Sequence, residues 1–189
     1  MFNLSKRSTI VIAVVLSFMM LVTRGHHVGT SAHLPDASWA VFFLLGFYLR
    51  SRMLLPVFLA LAALVDYLAI TQFGVSAYCV TPAYAFLLPA YSALWLAGRW
   101  YAAHYRFEAR SLPLFAAAAL AGSATSELIS SGSFYFLGGR FADTSLAEFA
   151  SRLLRYFPTN LENVALYLGV AALVHILIVS KQHGSVATR

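Results

Sequence analysis

Six stretches of the chain, 8–23, 37–49, 53–73, 82–100, 112–129 and 159–180, are apolar over, or close to, the length of a helix that crosses a bilayer. A hydrocarbon layer about 30 Å thick asks for roughly 17–25 such residues at 1.5 Å each. The composition agrees, because 60% of the 189 residues are hydrophobic and only 11% are charged, beyond what an ordinary soluble domain carries. The expected fold is an all-α integral membrane protein with six transmembrane helices. No linker, low-complexity tract or internal repeat interrupts the pattern, so residues 1–189 read as one domain.

The formal net charge of +6 does not point to nucleic acid, because the cations are scattered between apolar runs and form no stripe. They set topology instead, against the anionic inner leaflet. With the N-terminus inside, Lys6, Arg7, Arg50, Arg52, Arg99, Arg106, Arg110, Lys181 and Arg189 fall on the inner side, and Arg24, Arg140, Arg152 and Arg155 on the outer. The inner excess predicts both termini in the cytoplasm. Only Arg50-Ser51-Arg52 separates the short second stretch from the third, which fits a tight helical hairpin, one long kinked helix being the alternative. The first stretch follows Lys6-Arg7 as a secretory signal would, yet Thr23-Arg24-Gly25-His26 offers no small-x-small cleavage site, so it is read as a membrane helix.

The connection at 138–158 has a different character. In "RFADTSLAEFASRLLRYF", Phe141, Leu146, Phe149, Leu153 and Leu154 recur at near-helical spacing with charges between them, which predicts an outer amphipathic helix before the last span, lying on lipid or capping a cavity. Arg152 and Arg155 on such an element suit an anionic or amide-rich ligand.

Ionisable residues at membrane depth are costly and mark candidate sites. In this topology Asp66 lies near the outer end of the third helix. Thr81 is placed to cap the fourth and Pro82 to open it, so Cys79, the only cysteine, stands just ahead of that helix on the outer face. The first outer connection brings His26, His27 and His33. Separate pieces of the chain thus deliver His27, Asp66, Cys79, Tyr84 and Arg152 to one side, where they predict an outward-facing pocket. Tyr84, Leu88, Tyr91 and Trp95 follow at helical spacing as an aromatic face for a large flat ligand, with Pro89 expected to kink the helix. A cysteine in this place is a candidate soft ligand for a transition metal.

Each feature has a plainer reading. Cys79 packs as a small hydrophobe, Asp66 pairs with an interfacial arginine, and Tyr78 and Trp100-Tyr101 belong to the aromatic belt. Glu127, Glu162 and His175 make interhelical hydrogen bonds. "AAAALAGSATSE", Ala116 to Glu127, reads as close helix packing. The histidines His26, His27 and His33 are an alternative centre for haem, copper or zinc, as in a membrane-embedded metal protein or enzyme, although their spacing matches no standard helical metal motif. Neither G-x-x-x-x-G-K-[ST] nor G-x-S-x-G, H-E-x-x-H or C-x-x-C occurs, so the chain carries no P-loop ATPase and none of the common hydrolase, metalloprotease or dithiol signatures.

With "YCVTPAYAFLLPAY" around the cysteine, "GHHVGTSAHLPD" after the first helix and "VDYLAI" in the third, the chain resembles the BtuM family of bacterial cobalamin transporters, which are related to the S-components of energy-coupling factor transporters. The resemblance covers essentially the whole chain. It implies an S-component-like bundle in the bacterial inner membrane that binds vitamin B12 in a periplasm-facing pocket, with Cys79 as axial ligand of the cobalt and Asp66, Tyr84, Arg152 and His27 near the site. It also implies transport without a dedicated energising module, which agrees with the missing ATPase motif, a shared energising complex being the possible protein partner. The chain reads first as a transporter. Cys79-assisted removal of cyanide from cyanocobalamin, with an external thiol such as glutathione as reductant, is the enzymatic activity open to it.

Overall fold

In lipid every backbone N–H and C=O must find its partner inside its own segment, and the chain meets that demand with helices. The computed structural model describes residues 5–24, 34–49 and 51–187, with side chains as far as Lys181. Its elements are α1 (Lys6–Arg24), α2 (Ser38–Tyr48), α3 (Leu54–Phe73), two 3₁₀ turns (Ala77–Cys79 and Pro82–Phe86), α4 (Leu87–His104), α5 (Ser111–Leu137) and α6 (Leu146–Ala187). Four helices, α1, α3, α5 and α6, are long and apolar enough to cross a membrane. They turn Val14, Phe18, Leu64, Leu120, Leu173 and Leu177 outward, as a lipid-facing surface would.

Helix α2 answers to a different constraint. It has 11 residues, of which Ser38, Ala40 and the run Val41 to Phe47 are buried. At 1.5 Å per residue it is roughly 17 Å long, about half the apolar layer. A helix that is apolar on every side belongs in the interior. Leu49 is extended at its end (φ −106°, ψ 118°), so α2 and α3 form a hairpin and not one long kinked helix.

The crossing of α2 and α4 depends on two glycines. A Cβ on Gly46 would fall on the carbonyl oxygen of Trp95, and a Cβ on Gly98 would fall on that of Phe43. Each helix thus offers a bare backbone to the other, and Phe42 stacks on Tyr91 beside the crossing at 4.4 Å between centroids. The small residues of α5 do the same against α4, since a Cβ on Gly122 would lie 2.7 Å from that of Ala97. This is the close packing expected of Ala116 to Glu127.

The separate amphipathic helix does not occur. Residues 146–187 are one helix with Pro158 inside it. Proline removes one backbone donor but its φ is helical, and membrane helices tolerate that loss; the stop read at Pro158 is therefore no stop. Pro89 likewise falls in the first turn of α4, where a backbone N–H would have no helical partner to lose.

Gly98→Leu is expected to lower stability by about 2–3 kcal/mol or to prevent folding, whereas Gly74→Ala, at a left-handed helix end (φ 67°) with open space around it, costs about 1 kcal/mol. Thermal melts in detergent check this, and equal melting points would contradict the role given to the crossing.

Candidate functional site

Arg24 closes α1, and its side chain, 9% exposed, is buried in the bundle. Its Nε donates to Asp66 Oδ1 and its Nη2 to Asp66 Oδ2, both at 2.7 Å, a two-pronged pair of the strongest geometry. Nη1 donates to Ser38 Oγ at 2.9 Å and to the Tyr91 hydroxyl at 2.7 Å. Tyr84 donates its hydroxyl to Asp66 Oδ2 at 2.6 Å. Asp36 Oδ1 accepts the backbone N–H (2.9 Å) and hydroxyl (2.6 Å) of Ser38 and so starts α2. One guanidinium therefore joins the end of α1 and the C-terminal half of α3 to the beginnings of α2 and α4.

A cavity of about 710 Å³ lies against this cluster, within the range of small-molecule sites. Arg24, Asp36, Asp66, Tyr84 and Tyr91 form one wall, and Glu127, Ser130 and Ser131 of α5 another. Phe134, Tyr135, Phe141, Phe149, Leu153 and Tyr156 make an aromatic-rich third wall, joined by Arg152. Tyr135 stacks on Phe149 at 5.7 Å and Arg152 lies 4.6 Å from the centre of the Phe141 ring. The beginning of α6 thus lines a cavity with Phe149, Arg152, Leu153 and Tyr156, while Leu146 and Leu154 stay exposed.

Cys79 is exposed, unpaired in any disulfide, and lines the same cavity. It belongs to its own 3₁₀ turn, and α4 starts only at Leu87, so the helix-terminal setting expected for the thiol is corrected. Thr81 precedes the second 3₁₀ turn without a side-chain capping bond. What holds the turn is Tyr78: Arg140 Nε donates to its carbonyl at 3.1 Å while the guanidinium lies 4.8 Å from its ring centre. Tyr78, read as a belt residue, is the anchor next to Cys79.

Of the residues singled out in the sequence, Cys79, Asp66, Tyr84 and Arg152 line one cavity. His27, with His26 and His33, lies outside the described residues. The single aromatic face does not form. Tyr84 and Tyr91 line the cavity, Leu88 is exposed, and Trp95, one turn after Tyr91 on α4, is buried near α2 and does not line the cavity. Tyr84 sits on a 3₁₀ turn of three residues per turn while α4 has 3.6, so a helical spacing counted from Tyr84 does not hold. Leu87 takes the place expected for Leu88. Arg152 gives its Nε and Nη2 to Glu148 Oε1 at 3.0 and 2.8 Å, and Arg155 does not line the cavity, so the case for an anionic ligand weakens.

The remaining polar residues divide. His175 bonds the Tyr48 and Tyr105 hydroxyls at 3.0 and 2.9 Å beside a smaller, largely apolar cavity of about 220 Å³. Glu127 joins α5 to α6 through Asn160 at 3.0 Å, and Glu162 is exposed. Arg24 and Asn160 were not anticipated as site residues. The signal for Arg24 was present, because an intramembrane Asp66 needs a cation and Arg24 ends the neighbouring span.

No protein-family model and no curated protein matches the chain, which leaves the cavity's own chemistry as the guide to function. Among the described residues no three His, Cys, Asp or Glu side chains group to hold a metal ion.

Asp66→Asn takes from a buried guanidinium its two-pronged partner, leaving only Asp36 at 3.7 Å as a counter-charge, and is expected to cost about 3 kcal/mol, while Tyr84→Phe, which removes one hydrogen bond to a carboxylate, costs about 1.5 kcal/mol. Detergent melts of the two variants test this order, and a harmless Asp66→Asn would show that the pair does not hold the helix ends.

Proposed function

We infer that the chain is a cobalamin-binding uptake protein of the bacterial inner membrane, a bundle of six helices with both termini in the cytoplasm and the 710 Å³ cavity facing the periplasm. The observation that carries this reading is the place of Cys79. It is an exposed thiol at a cavity whose other walls are aromatic rings and polar groups. A free transition-metal ion needs about four ligands from the protein, and Cys79 is one. A metal already caged in a macrocycle needs only an axial ligand, and a soft sulfur is a fitting one. A flat ring with polar substituents also matches the lining, with Tyr135, Phe141 and Tyr156 against its faces and Arg152 and Tyr84 towards its edge. Since a corrinoid exceeds drug size, part of it would extend through the mouth of the cavity.

With cyanocobalamin as cargo, the Cys79 sulfur would give an electron pair to Co(III), and cyanide would leave with the pair of its own bond to cobalt. The thiol proton passes to water. Reduction of the cobalt then needs electrons from an external thiol such as glutathione, because Cys79 has no second cysteine to form a disulfide with. Bilayer crossing draws on no ATPase motif in this chain, so its energy comes from a partner complex or a gradient.

Purified in detergent with cyanocobalamin, the protein is expected to retain a corrinoid whose visible bands are displaced from those of the free vitamin, and Cys79→Ala to lose the displacement. Absence of corrinoid from the wild type would contradict the reading and turn attention to haem and copper at His26, His27 and His33. A membrane-impermeant maleimide should label Cys79, the only thiol, in intact cells; labelling only after lysis would reverse the topology.

A further inference from the structure

Five ionisable side chains other than tyrosine and cysteine line the cavity: Arg24, Asp36, Asp66, Glu127 and Arg152. Four of them are accounted for as ion pairs. Arg24 holds Asp66 and stands 3.7 Å from Asp36, and Arg152 is held by Glu148 at 2.8 Å. Glu127 is different. It is 4% exposed, and none of the ion pairs among the described residues includes it. Its partners are two neutral donors, the Ser131 hydroxyl to Oε1 at 2.7 Å and the Asn160 amide to Oε2 at 3.0 Å.

A carboxylate can accept about four hydrogen bonds, and these two use half of that capacity. A buried charge without a cation is expensive until further donors reach it, and Glu127 lines the cavity from which such donors would come. The missing chemistry is a hydrogen-bond donor, which an N–H group supplies. A carboxylate or phosphate brought to the same place would meet repulsion, with no free cation on this wall to offset it.

We propose that Glu127, held in position by Ser131 and Asn160, is a ligand-binding residue that receives the N–H groups of a ligand carboxamide and rejects a carboxylate there. This rests on the cobalamin reading and extends it, because the periphery of the corrin carries carboxamides. Glu127 then distinguishes an intact vitamin from one hydrolysed at that amide, a discrimination that neither Cys79 nor the aromatic wall supplies.

The test uses the full chain in detergent, titrated with cyanocobalamin and, separately, with each of its monocarboxylic acids in which one peripheral carboxamide is hydrolysed. The wild type should bind at least one acid more weakly than the parent by about tenfold or more, the scale of a hydrogen bond to a charged group. Glu127→Gln should bring that acid close to parity. Discrimination that persists unchanged in Glu127→Gln overturns the proposal. So do acids that all bind the wild type as well as the parent, a result that needs no variant to fold. Failure of the wild type to bind cyanocobalamin itself would remove the cobalamin reading and this proposal together, whereas binding without discrimination removes only this one.

Discussion

The Arg24–Asp66 pair is the contact on which the rest of this bundle depends. Two opposite charges on apolar helices are costly to leave apart in a medium without water, and this pair meets with both prongs at 2.7 Å. The same guanidinium reaches Ser38 on α2 and Tyr91 on α4. Around it, Thr23 Oγ1 accepts the Ala37 N–H at 3.1 Å, and Tyr167 of α6 donates to the Pro35 carbonyl at 2.6 Å. Five of the six helices therefore have an end or a side chain tied within one polar knot. The cavity lies where the knot stops, with the knot as one of its walls.

Apolar packing supplies the complementary constraint. Gly46 and Gly98 let α2 and α4 meet backbone to backbone, and Gly122 lets α5 follow. Close contact in these places leaves the volume between α3, α5 and the start of α6 unfilled, and aromatic side chains line that space without closing it. The polar knot and the glycine crossings act on the same two helices. Tyr91 of α4 belongs both to the knot and to the cavity wall.

Much of this was legible in the residues alone, and the exceptions have definite causes. The helical class follows from uninterrupted apolar runs, and the fate of Ala116 to Glu127 from its small side chains. The gathering of Cys79, Asp66, Tyr84 and Arg152 at one cavity needed only an alternation of helix directions. Periodicity failed where its premise failed: the 3₁₀ turn at Pro82–Phe86 shifts the register between Tyr84 and the α4 residues after it, so that Leu88 turns outward, and Trp95 lies a further turn along α4, beyond the cavity. Pro158 was read as a boundary, although a proline can stand within a long membrane helix. Arg24 was counted as a topological charge, and Glu127 as an interhelical bond, because a count along the chain does not say which way a side chain faces. Glu127 turned out to be both a bond and a wall.

The proposed receptor for a metal macrocycle with amide edges rests on an exposed thiol, an aromatic-rich wall and a buried carboxylate short of donors. The most direct measurement is X-ray absorption at the cobalt edge of the purified protein loaded with cyanocobalamin. The account predicts a sulfur atom in the first coordination shell of cobalt, contributed by Cys79 and absent from the Cys79→Ala protein. A shell containing only nitrogen, oxygen and carbon would contradict it.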